Sequence, residues 1–205
     1  QAVARQLPTR VIAKMMGIEK AANADFAVWS DDLAVFIGAP LATHQQARRA
    51  QASLLAMGRY FEQMIAERRQ NPGDDLVSRL LQAEADGALL NHAELLAQCA
   101  MLLFAGHETT RNLLGNGLRA LLAHPDQWQR LQQNPSMVPS AVRELLRFDS
   151  PVQYTGRRVA TDLQLHGQTL RRGDLVVPLI GSANRDPDRH PEPDQLDVAG
   201  RDGAS

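Results

Sequence analysis

A chain of 205 residues with 44% apolar and 22% charged side chains can fill a packed core in one large or two small domains, which excludes wholesale disorder. Its 22 Lys+Arg against 23 Asp+Glu leave a net charge of -1, and 4% aromatic residues are thin for base stacking, so neither composition nor charge points to nucleic acid or an acidic membrane surface. One cysteine excludes an internal disulfide framework and a multi-thiolate zinc site, and no apolar run reaches the length of a membrane span.

Helical periodicity fills the first three-quarters of the chain. Thr9 is expected to cap a short helix carrying Val11, Ile12, Met15 and Met16, with Gly17 just past its end. A second helix spans Ala24 to about Ile37, with Phe26, Trp29, Leu33, Phe36 and Ile37 on one face. The third runs from Thr43 to about Arg69 on a stripe of Leu54, Met57, Phe61, Met64 and Ile65, and Asn71-Pro72-Gly73 ends it. Asp74 and Asp75 open a fourth that stops at Asp86-Gly87. Asn91 and Glu94 have capping-box spacing and begin a helix of about 91–123, roughly 48 Å long at 1.5 Å per residue. Two more follow, Pro125 to Gln133 and Met137 to Phe148, and Pro151 closes the pattern.

Beyond Pro151 the period shortens. Arg158-Val-Ala, Leu163-Gln-Leu-His and Leu175-Val-Val-Pro-Leu, separated by Gly167 and Gly173, read as a small β-sheet with tight turns. From Asn184 onward, Pro187, Pro191 and Pro193 exclude regular structure. The fold class is therefore mainly α, helical over 1–150, with a small C-terminal β-region and an irregular segment over 151–205.

The most informative stretch is Phe104-Ala-Gly-His-Glu-Thr-Thr110, in the middle of the long helix. Gly106 in a helix interior costs about 1 kcal/mol relative to Ala. Leu102, Ala105, Gly106, Thr109 and Leu113 share a face that reads large, small, small, hydroxyl, large. A flat object could lie in the dip over Ala105 and Gly106 with the Thr109 hydroxyl at its rim. Thr109 can also bond the carbonyl of Ala105, four residues back. Glu108 beside it is a carboxyl in an otherwise apolar helix, where it would be desolvated. Ordinary helix packing, with Gly106 admitting a close neighbour and Glu108 facing solvent, accounts for the same spacing, and periodicity does not decide between the two.

The combination of segments decides. Ala105-Gly106-His107-Glu108-Thr109-Thr110 resembles the oxygen-activation segment of the cytochrome P450 family, and Glu144-Leu-Leu-Arg147 resembles its Glu-x-x-Arg pair. Arg158-Val-Ala-Thr161, Leu165-His-Gly167 and Gly173-Asp174 resemble its β-region, and Ala183-Asn-Arg-Asp-Pro187 the stretch leading to its meander. The segments occur in the family's order and spacing, in the manner of soluble bacterial members.

The resemblance implies a heme cofactor and a monooxygenase that inserts one atom of O2 into an organic small molecule, with electrons from a ferredoxin or similar donor, in the cytoplasm. Glu108 and Thr109 become the catalytic acid–alcohol pair. Ala105, Gly106 and Arg158 become cofactor contacts, Arg158 toward a propionate, for which a guanidinium is well suited. Glu144 and Arg147 become a buried structural ion pair, where spacing alone gives an i,i+3 pair on a solvated face. Leu102, Leu103, Val152 and Gln153 would line the substrate side, although each is equally readable as core or turn.

The family's iron-ligating cysteine lies in a loop after the meander, which would fall beyond Ser205, so no metal ligand is expected in this chain. Cys99 stands ten residues before Thr109, roughly 15 Å along the same helix, and reads as a small buried hydrophobe. The resemblance thus implies an internal fragment, inactive when isolated, which also lacks the family's N-terminal part.

Other readings fit less well. His107-Glu108 begins the zinc motif His-Glu-x-x-His, but Arg111 stands where the second histidine should be. Gly115-Asn-Gly117-Leu-Arg-Ala120 matches a dinucleotide fingerprint as a string, yet it follows no strand. A cofactor-free helical scaffold would explain the helices but not the joint occurrence of the three motifs.

Overall fold

Helix boundaries follow the capping chemistry. In the computed structural model, which describes residues 2–18, 23–39, 41–85 and 91–200, Thr43 caps α3 (His44–Gln70): its hydroxyl accepts from the Gln46 amide at 3.2 Å while the Gln46 side chain accepts from the Thr43 amide at 2.8 Å. Asn91 and Glu94 form the same reciprocal pair at 2.8 and 3.1 Å and open α5 (His92–Ala123). Between them lies α4 (Leu76–Ala85), capped by Asp75, whose Oδ1 accepts from the Ser78 amide at 2.8 Å. The expected stop at Asp86-Gly87 lies outside the described residues.

The first helix departs from expectation. α1 covers Ala2–Met15 with Pro8 in its interior, so Thr9 is a buried mid-helix residue and not a cap. Its end is as expected: Gly17 adopts φ +74, the left-handed conformation that suits glycine past a helix C-terminus. α2 covers Asn23–Gly38. The chain then divides into two compact units, 1–111 and 112–205, and the division falls inside α5. The change from helix to strand near 150 is a different boundary, within the second unit.

The core of unit 1 is built from Met16, Phe26, Met57, Phe61, Leu95, Cys99 and Leu103, all fully buried. Fully burying one such side chain is worth roughly 1.5–3 kcal/mol. The scarce aromatics concentrate here: Phe26 meets Trp29 and Tyr60 edge-on at 5.0 and 4.9 Å, which fixes α2 against α3.

Unit 2 continues α5 and adds α6 (Pro125–Gln133), a 3-10 turn (Pro135–Met137), α7 (Val138–Phe148) and the short α8 (Ile180–Ala183). Its core is Ala120, Leu121, Ala141, Leu196 and Val198. Gly117 lets α7 approach α5, because a Cβ there would sit 3.1 Å from Leu145 Cδ1. The β-region is smaller than the pattern suggests: β1 (Arg157–Arg158) pairs with β4 (Leu175–Val176), and β2 (Leu163–Leu165) with β3 (Gln168–Leu170), both antiparallel. No helix among the described residues is long and apolar enough to cross a membrane.

Candidate functional site

In unit 1 the candidate residues are consecutive on α5, and the 100° step between neighbours sends them in different directions. Ala105 is exposed, and Thr109 is half-buried with its hydroxyl donating to the Ala105 carbonyl at 2.8 Å. Gly106 faces α1 instead. A Cβ at Gly106 would lie 2.9 Å from Ile12 Cδ1 and 3.0 Å from Cγ1, so the space freed by the glycine is filled by Ile12. This corrects the expected dip: on the side its Cβ would occupy, Gly106 admits a neighbouring helix. Leu103 is corrected too, because it is fully buried in the unit 1 core and lines no open surface. Leu102 is half-buried against the same core.

Glu108 does not stand bare in an apolar helix. Its carboxylate is half-buried and ion-paired to Arg111, whose Nη2 lies 2.7 Å from Oε1 and 2.6 Å from Oε2. The other arm of the same guanidinium, Nη1, donates to Asp31 Oδ1 on α2 at 2.5 Å. Burial works against the Arg111 charge, but the Asp31 hydrogen bond and the two carboxylates outweigh it, and its pKa stays above the ordinary arginine value. Asp31, the buried His107 and Glu108 offer ligand atoms within 4.8 Å of one another, a spacing that could hold a metal ion; the positive charge at this cluster is the Arg111 guanidinium.

Sequence reading weighs Arg111 only as the residue that breaks a zinc motif, and gives Asp31 no role. Part of the signal is present, since Glu108-Thr-Thr-Arg111 has the same i,i+3 spacing as Glu144-Leu-Leu-Arg147.

In unit 2, α7 turns Glu144 and Arg147 inward, and both are buried. Arg147 Nε and Nη2 each donate to a Glu144 oxygen at 2.8 Å, the parallel fork that a guanidinium and a carboxylate form best. The remaining donors reach the carbonyls of Asn184, Pro193 and Gln195 at 2.9, 2.8 and 3.0 Å. Glu144 Oε1 also accepts from the Asp197 amide at 3.1 Å. This buried ion pair is thereby one of the main holds on the irregular stretch from 184 to 197, beside Arg130–Asp197 and the Arg185 contacts to Asp194 and the Phe148 carbonyl. Two further bonds, unsuspected from the sequence, extend this hold: the Val198 amide donates to Gln127 Oε1 at 3.1 Å, and Ser140 Oγ donates to the Val198 carbonyl at 2.8 Å.

Arg158 is exposed on β1, with Nη1 donating to the Gly173 carbonyl at 3.0 Å, while Arg157 is spent on Thr155 and Gly156. Val152 and Gln153 are exposed after α7; Gln153 Nε2 donates to the Ser150 carbonyl at 2.7 Å, and the residue borders a polar cavity of about 280 Å³ walled by Arg119, Arg147 and Arg185.

In unit 1, the open methyl of Ala105 and the Thr109 hydroxyl one turn on offer a small, flat surface that suits a planar group such as heme; in unit 2, the exposed Arg158 guanidinium is of a kind that binds carboxylates. Cys99 does not fit as a thiolate ligand for heme iron. Cys99 is fully buried, and desolvation pushes its thiol pKa up to about 11, so it holds no thiolate at neutral pH.

A long helix carrying Glu108 and Thr109 and, in unit 2, a buried Glu-x-x-Arg fork that pins an irregular strap belong to a mainly helical fold. The family model for cytochrome P450 matches residues 8–199, and the chain belongs to that family.

The chain is 41% identical over 193 residues to cytochrome P450 107B1 of Saccharopolyspora erythraea, covering 94% of this chain and 46% of that protein. It is likewise 41% identical over 195 residues to the vitamin D(3) 25-hydroxylase of Pseudonocardia autotrophica, again 94% and 46%. Among solved structures, CalO2 superposes with a TM-score of 0.89 at 34% identity, over 99% of this chain and 51% of that one. The cytochrome P450 PksS of Bacillus subtilis does so with 0.84 at 37%, over 95% and 49%. The chain therefore spans about half the length of the relatives it matches.

Proposed function

We propose that this chain is the oxygen-handling and strap-holding part of a heme-thiolate monooxygenase that hydroxylates or epoxidises an organic small molecule, working in the cytoplasm with a ferredoxin or similar electron donor. The observation that carries the reading is the Ala105–Thr109 pair on a family-matched helix: an open small residue beside a hydroxyl whose proton is already directed along the helix to a carbonyl. When bound, the heme supplies the oxygen and electron chemistry.

The protein's own contribution is position and protons. A threonine hydroxyl has one donor and two acceptor sites. With its proton committed to Ala105, Thr109 can accept a hydrogen bond on its outer side, or rotate and give the proton outward. Glu108, one residue earlier, is the acidic group that would take a proton from solvent and pass it on to the hydroxyl. By family resemblance, unit 1 would contribute Ala105 to the heme and Leu102 to the substrate side, and unit 2 would contribute Arg158 to a heme carboxylate and Val152 and Gln153 to the substrate side. Glu144 and Arg147 keep the strap that follows them in place.

Thr109→Ala in the heme-containing protein tests this reading. Electron consumption should continue while product falls and hydrogen peroxide rises. Unchanged coupling between electrons and product would remove Thr109 from the chemistry.

A further inference from the structure

Arg111 is the one cation that touches both carboxylates at this point of unit 1, among the described residues. It uses separate arms for them: Nη2 for Glu108 on its own helix, Nη1 for Asp31 on α2, eighty positions away in sequence. All three side chains are partly buried, at 24% exposure for Arg111, 33% for Asp31 and 17% for Glu108, so solvent screens the contacts less than it would on a surface. A guanidinium is planar and rigid, and fixing one arm fixes the direction of the other. Asp31 is itself held, because its neighbour Asp32 accepts a hydrogen bond from the buried Ser53 of α3 at 2.6 Å. The chain of contacts runs from α3 through α2 and Arg111 to the acid next to Thr109.

We propose that Arg111, anchored by Asp31, is a positioning residue for Glu108. It sets the direction of that carboxylate relative to Thr109, and the seat of α2 thereby sets the acid of the acid–alcohol pair. Neither residue touches the reacting atoms; both act through Glu108. The role rests on the monooxygenase reading above, which it deepens. It also accounts for why a glutamate is tolerated in an otherwise apolar helix: its charge is matched, and its rotamer is fixed by a partner tied to a second helix.

The test compares Asp31→Asn, Arg111→Gln, Arg111→Lys and the Asp31→Asn/Arg111→Gln double variant in the heme-loaded protein, reading product formed per pair of electrons consumed. Arg111→Gln should lower that ratio by roughly threefold to tenfold in folded, heme-loaded protein, the scale of a displaced catalytic group. Arg111→Lys should restore part of it. Asp31→Asn should shift it in the same direction by less, and the double variant should match Arg111→Gln, since without the guanidinium Asp31 has nothing to transmit.

An unchanged ratio in Arg111→Gln, or strictly additive effects in the double variant, overturns the proposal. Should Arg111→Gln fail to fold, Asp31→Asn decides alone, and an unchanged ratio there is equally fatal. A second readout needs no turnover: a thermal double-mutant cycle between Asp31→Asn and Glu108→Gln should show coupling while Arg111 is present and none once Arg111→Gln is added. Thr109→Ala separates the two levels. If it uncouples while Arg111→Gln does not, the positioning role is wrong and the oxygenase reading survives. If neither variant uncouples, the oxygenase reading fails and takes the positioning role with it.

Discussion

Gly106 of α5 turns its bare Cα toward Ile12 of α1, so closely that a Cβ at Gly106 would stand 2.9 Å from Ile12 Cδ1. The nearest atom is the Cδ1 end of Ile12, with Cγ1 next at 3.0 Å, so a small shift of this side chain makes room for one methyl but not for a branched group. Gly106→Ala should therefore be close to neutral: about 1 kcal/mol of recovered helix propensity offsets the displaced methyl. Gly106→Val should destabilise by about 1–3 kcal/mol, because a branched side chain overpacks the same contact. Urea midpoints of the three proteins check this, and a large loss for the alanine variant would mean that α1 cannot yield.

The Glu144–Arg147 pair should be intolerant of change on either side. Removing one partner leaves a buried charge and, for Arg147, three backbone carbonyls without their donor. The cost is about 3–5 kcal/mol. Arg147→Lys should recover only part of it, since one ammonium cannot span a carboxylate and three carbonyls. Hydrogen exchange at the Asp197 and Val198 amides gives a local readout: in Glu144→Gln both should exchange faster than in the parent, ahead of amides in α3.

The helices were legible because their period is strong and their caps are local. Thr43 with Gln46 and Asn91 with Glu94 are three residues apart, and such pairs form wherever the chain runs. Thr9 misled for a physical reason: threonine is a favoured cap and an interior proline costs about 3 kcal/mol, yet α1 runs straight through Pro8. The β2–β3 hairpin was half-visible. Its turn, His166-Gly167, places both residues at positive φ, 47 and 76, but three-residue strands carry too little alternation to read β3. The candidate site split along the same line. Spacing shows which residues share a face, but not which neighbour covers that face: Ile12 stands against the Cβ side of Gly106, and Leu103 belongs to the core of unit 1. Arg111 lay in plain view three residues after Glu108; Asp31, from another helix, did not.

Asp75 makes unit 1 sensitive to acid. Its Oδ2 accepts from Arg68 Nε at 2.8 Å, Oδ1 accepts from the Ser78 amide at 2.8 Å, and Arg68 Nη2 goes on to the Gly17 carbonyl at 3.0 Å. Burial pushes the carboxyl pKa up, but the Ser78 and Arg68 hydrogen bonds outweigh it and hold it below the usual aspartate value. The folded pKa is thus below the unfolded one. The stabilisation is fully present above the unfolded value and is lost as pH falls through the folded one. Asp75→Asn should cost about 1–3 kcal/mol at pH 7, and urea midpoints of variant and parent should converge as pH falls through the depressed folded pKa of Asp75.

Cys99 gives a probe of core opening. It is fully buried between helices of unit 1, and desolvation pushes its pKa up to about 11. At pH 8 roughly one thiol in a thousand would then be ionised in the folded state, against roughly one in four for a free cysteine. Both the missing thiolate and the missing access protect it, so a disulfide reagent should react only through opening of the α3–α5 core. Labelling should be orders of magnitude slower in native buffer than in urea, and it should speed up in Phe61→Ala, which loosens the same cluster. Rapid labelling of native protein at pH 8, unaffected by Phe61→Ala, would mean that the thiol lies on an accessible surface and that the core around Phe26, Phe61 and Leu103 is not closed.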